Sequence, residues 1–271
     1  MSVRIVTTGL YAGNADRCLD HLVIAAERCL EKADIAREEV ELLLFVGNTR
    51  PDFIQEPSVA ALLQKRLGIN PRFADHFGGR STLSFDLSNG NCGFLVACQC
   101  FDALARVHGL RHALVVASDV HHAGGPAEPF APMSAAALLC AGSSGFRSST
   151  FQRSTCQGPG MLSVVDLRNP FTACYRFEFE PWFADRAVEL LSATLREHAG
   201  PLPERWICAE PVAGIAARVA EALASVPRIR ISTEGLHTTA HIVGFARHEG
   251  GPLLFAACGA GPTAMVATYE E

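Results

Sequence analysis

The sequence predicts an α/β protein built from two similar halves. Three observations carry this. Short apolar runs alternate with amphipathic stretches of helical period, and the same β-α-β-α-β-α-β-β order occurs twice. The strand-like runs are also apolar throughout, which marks mostly parallel sheets covered on both faces.

In the first half, "VRIVTTG" from Val3 is a strand. "ADRCLDHLVIAAERCLEKA" is a helix with Leu19, Leu22, Val23, Ala26 and Leu30 on one face. "VELLLFVGN" is a buried strand. "EPSVAALLQKRLG" is a helix that opens at Pro57 and stops at Gly68, as helix start and stop chemistry requires. The strand "LSFDLS" runs into a long helix from about Asn91 to His108, followed by the strands "HALVVASD" and "SAAALLCAG".

The second half repeats the series. "MLSVVDL" opens it as a strand, and "FADRAVELLSATLREHAG" follows as a helix. Next come the strand "RWICAEP", the helix "AGIAARVAEALASV", the strand "RIRIST" and the helix "TTAHIVGFARH". "PLLFAACGAG" and "TAMVATY" close the chain as strands. The halves are expected over residues 1–145 and 160–271, joined by a Ser/Gly-rich linker at about 146–159 inside Gly142–Gly160. In such folds reactive groups gather where strands end and helices begin.

The 271 residues are 49% apolar, enough for a sizeable core. No apolar run has the length of a membrane span, and the N-terminus lacks the order of a signal peptide, so a soluble cytoplasmic protein is expected. A formal charge of -5 with no Lys/Arg-rich run gives no surface for nucleic acid. Of ten cysteines, Cys18, Cys29, Cys98, Cys140, Cys208 and Cys258 lie inside apolar runs, where reduced thiols act as small hydrophobes. With no C-x-x-C pair, neither a disulfide framework nor a zinc site is expected.

The duplication, the segment "FDLSNGNCGF" and the closing "ACGAGPTAMVATY" resemble the thiolase superfamily, and within it β-ketoacyl-ACP synthase III. The resemblance spans nearly the whole chain. It implies a five-layer αβαβα sandwich, a dimer, and chemistry on acyl thioesters through an acyl-cysteine, with no cofactor and no metal.

The residues that would perform that chemistry depart from the family pattern. With Phe85-Asp86 and Gly93-Phe94 as anchors, Asn91 stands at the family's cysteine and Cys92 comes one residue later. On a helix that offset is a rotation of about 100 degrees. The resemblance sets Glu210 of "RWICAEPVAG" where the family has its histidine, and Ala213 at that motif's asparagine. In "EGLHTTAHIV", Leu236 takes the place of the catalytic asparagine, with His237 next to it. A carboxylate and a leucine cannot donate hydrogen bonds to an enolate oxygen. The family's W-I-x-x-R-T-G-I segment, which holds coenzyme A, is absent near "TTGLYAGNADRCLDH", as is its G-D-G signature between Val120 and Met133. The turn "CGAGPT" remains, so Gly259 and Gly261, with Phe94, are the residues the resemblance assigns to substrate binding.

Each candidate admits two readings. Cys92 is either a nucleophile displaced together with His237 and Glu210, or a buried thiol. Asn91 is a helix N-cap, or the amide that chain-length-factor subunits carry at that position. Glu210 is a general base or the ion-pair partner of a nearby cation such as Arg218. His237 and His241 have i, i+4 spacing that suits a shared metal but lack a third ligand. His121 and His122 face solvent. "FTACYRFEFEPWF", Phe171 to Phe183, is an edge strand in the core or dimer contact, or the wall of an acyl tunnel.

The expected function is a non-catalytic or accessory ketosynthase III-like subunit of fatty-acyl or polyketide-type metabolism. It would pair with a cysteine-bearing homologue, or with itself, near an acyl carrier protein and an acyl thioester. The alternatives are an acyltransferase or condensing enzyme acylated on Cys92, and a thioester hydrolase using Glu210.

Overall fold

The computed structural model describes residues 2–13, 17–47, 56–70, 81–120, 130–153, 161–166, 174–223, 226–259, 261 and 263–270. The first sheet takes β1 (Val3–Tyr11), β2 (Leu42–Val46), β3 (Leu83–Leu87), β4 (His112–Ser118) and β5 (Ser134–Ala141) in the order β1-β5-β4-β2-β3. Between them run α1 (Cys18–Ala33), α2 (Val59–Leu67) and α3 (Gly93–His108). Local chemistry fixes the helix ends. Ser58 caps α2 by accepting from the Ala61 N–H, and Gly68 closes it in the left-handed region at φ 67°. The carboxylate of Asp86, half of the Phe85-Asp86 anchor, accepts from the Val59 and Ala60 N–H groups at 2.9 Å each. It therefore holds the start of α2.

The chain continues with β6 (Gly145–Arg153), the hairpin of β7 (Met161–Asp166) and β8 (Cys174–Phe179), and α4 (Phe183–Glu197). Then follow β9 (Arg205–Ala209), α5 (Ile215–Ala222), β10 (Ile229–Arg230), α6 (Ala240–Ala246), β11 (Leu253–Gly259) and β12 (Thr263–Glu270). The second sheet runs β10-β9-β11-β12-β6, matching the first strand for strand.

Two expectations need correction. The stretch expected as linker is a strand over Gly145–Arg153, pairing antiparallel with β12, whereas "MLSVVD" lies in the separate hairpin. The polar run of "GFRSSTFQR" is overlooked by a search for apolar strands, since Ser149, Thr150 and Gln152 hydrogen-bond to Gln99, His198 and Thr194. The sheets are also mixed and not mostly parallel. In each, three parallel strands (β3-β2-β4 and β10-β9-β11) are followed by two antiparallel pairings.

Strand alternation sorts the side chains into layers. Leu42, Leu44 and Val46 of β2 and Leu253, Phe255 and Ala257 of β11 enter one core around α3 and α6. Leu43 and Phe45 face α1 and α2 on the outer side of the first sheet. Leu254 and Ala256 face α4 and α5 on the outer side of the second. The result is α1/α2, sheet, α3/α6, sheet, α4/α5, the five layers expected. Close approach of the central helix to its sheet requires Gly93, where an added Cβ would lie 2.2 Å from Val46 Cγ1. Among the described residues no helix is long and apolar enough to cross a membrane.

Candidate active site

At the mouth of the central helix, Gly90–Cys92 form a single 3-10 turn that leads into α3. Asn91 is 2% exposed and its side chain does not cap a helix, contrary to the capping expectation. Its Nδ2 donates instead to the main-chain carbonyl of His237 at 3.4 Å, while Oδ1 has no hydrogen-bond partner among the described residues. The amide thus joins the first turn of α3 to the first turn of α6, one from each half.

Cys92 is 0% exposed. Its sulfur lies 3.9 Å from Thr263 Oγ1, and an added Cβ on Gly259 would approach it to 3.4 Å. Burial pushes the thiol up to about 12, against a smaller opposing pull from the Thr263 hydroxyl. At neutral pH this is a thiol and not a thiolate, and thiols are poor nucleophiles.

Cys92, His237 and Glu210 each have a described partner outside their own set. The His237 ring stacks on Phe130, centroids 4.3 Å apart and 11° from parallel. The His237 main-chain N–H donates to the fully buried carboxylate of Asp119 at 2.9 Å. Asp119 also accepts from the Thr238 N–H (2.7 Å), the Thr239 N–H (3.4 Å) and the hydroxyls of Thr238 and Thr239. A carboxylate at the end of β4 therefore anchors the start of α6, 118 residues further along the chain. Sequence reasoning missed it. The only signal was an acidic residue ending an apolar strand in "VVASDV".

Glu210 follows β9, as expected, but its partner is Arg230 and not Arg218. Arg230 Nη2 donates to Oε1, and the Ala216 N–H donates to Oε2 at 2.7 Å, capping α5. Arg218 instead pairs with Asp185 at 2.6 Å. Each carboxylate oxygen of Glu210 thus accepts one hydrogen bond and retains a second lone pair.

Beside Glu210 lies a cavity of about 220 Å³ whose walls include Phe130, Phe179, Val212 and Leu236. It forms where the loops after β9 and β10 meet the end of β8, the usual place for a ligand at the carboxyl ends of parallel strands. Among the described residues of the aromatic stretch, Phe179 lines it and Phe183 is a buried core residue of α4. Asn91 and Cys92 are not among its described lining residues.

Phe94, assigned to substrate binding by resemblance, packs between the sheets against Phe146, Phe255 and His241. Gly259 closes β11 beside Cys92, and Gly261 is an exposed turn residue before β12. His241 Nε2 lies 2.9 Å from the Ala256 carbonyl, and burial lowers its pKa to about 4, so it is a neutral core histidine. Among the described residues no group of three metal-ligating side chains occurs. His121 and His122 lie outside the described residues.

No protein-family profile matches the sequence. A curated relative, the β-ketoacyl-[acyl-carrier-protein] synthase III of Alkalilimnicola ehrlichii, is 35% identical over 102 residues. That match spans 38% of this chain and 28% of the relative. Solved structures match across the fold. The priming β-ketosynthase of the R1128 polyketide pathway has a TM-score of 0.77 at 16% identity, covering 99% of this chain and 96% of that one. The 3-oxoacyl-(acyl carrier protein) synthase III of Pseudomonas aeruginosa PAO1 has 0.78 at 17%, covering 100% and 98%. OleA of Xanthomonas campestris has 0.76 at 13%, covering 100% and 99%. With its two matching sheets and buried central helices, the chain has the thiolase-like fold of the ketosynthase III proteins.

Proposed function

We propose that this chain is an accessory ketosynthase III-like protein of fatty-acyl or polyketide-type metabolism that holds no acyl group on its own cysteine. The observation that carries this reading is the state of Cys92: wholly buried, protonated at neutral pH and in contact with Thr263. Where the family resemblance calls for a nucleophile stands Asn91, whose carboxamide cannot form a thioester.

Its partner would be a homologue that keeps the cysteine, with acyl carrier protein delivering the thioester. The edge of the first sheet supports a second subunit. β3 is unpaired on its outer side among the described residues, and Leu83 upon it is 52% exposed. An open edge of this kind invites pairing. A homodimer would use the same edge.

Intact mass spectrometry tests the reading. The pure protein, incubated with acyl-CoA and acyl-carrier thioesters of several chain lengths, should gain no mass. A stoichiometric acyl adduct that vanishes in Cys92→Ala would establish the acylated-enzyme alternative instead. The hydrolytic alternative keeps one point in favour, since Glu210 lines the cavity. It requires thioester turnover that survives Cys92→Ala and is lost in Glu210→Gln. Native mass spectrometry after co-expression with a cysteine-bearing homologue from the same genome should show a 1:1 complex.

A further inference from the structure

We infer that Cys140 is a thiol-modification site that captures a small anionic disulfide as a mixed disulfide, with His112 as the base. The site lies at the end of the first sheet opposite the mouth of α3, and it is independent of the accessory reading.

Strand register builds it. Cys140, near the end of β5, pairs with His112 at the start of β4 on one side and with Arg4 of β1 on the other. Residues directly opposite one another on antiparallel strands share a face, with Cβ atoms about 4.5–5.5 Å apart. That face is the outer one. Leu139 and Ala113, the chain neighbours of Cys140 and His112, enter the core around α3, so alternation turns the thiol and the imidazole the other way. A guanidinium, a thiol and an imidazole thus stand in a row across three adjacent strands. Arg4 is exposed, and Cys140 and His112 are partly exposed, so a small reagent can reach the row.

Glu41, just before β2, continues it. Its carboxylate accepts from the main-chain N–H groups of Arg111 at 2.5 Å and His112 at 3.3 Å, and its own N–H donates to the His112 carbonyl at 3.1 Å. The backbone that carries the ring is therefore fixed. The ring itself is uncommitted at Nδ1, which has no hydrogen-bond partner among the described residues. From α1, which packs over this face, Lys32 and Cys29 reach the Thr8 and Thr7 carbonyls.

The step is a thiol–disulfide exchange. His112 takes the Cys140 proton as the sulfur attacks one sulfur of the reagent. The new S–S bond forms as the old one breaks, and the leaving thiolate recovers the proton from the imidazolium. Cys140 is oxidised to the mixed disulfide, and the other half of the reagent is reduced to a free thiol. Arg4 sets a positive charge beside the path of an anionic reagent, which oxidised glutathione is at neutral pH.

Cys100 serves as the internal reference, since it is the other partly exposed thiol among the described residues and burial pushes it up. The whole protein is incubated with oxidised glutathione at pH 7, quenched in acid and mapped by peptide mass spectrometry. Cys140 should gain glutathione at least about tenfold faster than Cys100, the smaller end of what a positioned base contributes. His112→Gln should remove that advantage at Cys140 and leave the rate at Cys100 unchanged. Should this variant fail to fold, the buried Cys92 would react too, and the native comparison of Cys140 with Cys100 decides alone. Equal rates at the two thiols in the native protein overturn the inference. So does a folded His112→Gln variant in which Cys140 reacts as fast as before.

Discussion

The Cys92 sulfur and the Thr263 hydroxyl lie 3.9 Å apart across the interface of α3 and β12, a contact that spans 171 residues of sequence. The sulfur is wholly buried. Native protein treated with iodoacetamide at pH 8 should therefore label Cys100 and Cys140, which are partly exposed, well before Cys92. Peptide mapping by mass spectrometry reads the order. Labelling of Cys92 as fast as Cys100 would show an open sulfur.

Asn91→Cys should place a thiol at the turn that enters α3, where the helix dipole favours a thiolate. The expected result is an acyl adduct from a simple thioester in this variant and none in the native chain. By the resemblance, Glu210 and Leu236 stand at the family's donor positions, so no condensation product should follow. An unmodified Asn91→Cys variant would mean that residue 91 does not correspond to the family's nucleophile.

Asp119→Ala removes the acceptor shared by the N–H groups of His237 and Thr238 and by two threonine hydroxyls. Buried donors left unpaired cost about 1–3 kcal/mol each, so a loss of at least about 3 kcal/mol is expected. Chemical denaturation measures it. A loss below about 1 kcal/mol would show that water replaces the carboxylate.

Stability should fall on both sides of neutrality. His241 binds a proton at about 4 when folded and near 6.5 when unfolded, so acidification through that window favours the unfolded chain. From pH 7 to pH 5 this amounts to about 2 kcal/mol. Cys29 and Cys92, both raised to about 12 from 9.0, act at the other end. Unfolded thiols ionise first, and stability declines as pH rises from 9 toward 12. Urea unfolding at pH 5 and 7 should show the acid loss shrink in His241→Gln, which has no titrating ring. An unchanged acid limb would assign the loss to other groups.

Gly259→Ala should destabilise the turn between β11 and β12 by about 1–3 kcal/mol, a cost typical of overpacking. The new Cβ would lie 2.2 Å from Thr263 Oγ1. Adding Thr263→Ala should recover much of the loss, because it removes the clashing hydroxyl. Thermal melts of the single and double variants test the coupling.

Most of the architecture was legible from periodicity. Leu42 to Val46 and Leu253 to Cys258 are apolar at every position because each strand buries both faces. The halves, the long buried helix and the five layers follow from that and from the family motifs. The strand Gly145–Arg153 was not legible, because Ser149, Thr150 and Gln152 in it are polar and meet Gln99, His198 and Thr194 by hydrogen bonds in place of apolar packing.

The sequence by itself determined the layered α/β fold, and the family resemblance set Asn91, Glu210 and Leu236 where a nucleophile and hydrogen-bond donors are expected. Only the tertiary structure decided that Glu210 pairs with Arg230, that Asp119 holds the start of α6, and that Cys92 is sealed against Thr263. Those pairings join residues 20, 118 and 171 positions apart. Hydrophobic periodicity reports which face of an element is buried. Which polar side chains meet inside depends on how the two sheets and the central helices pack together.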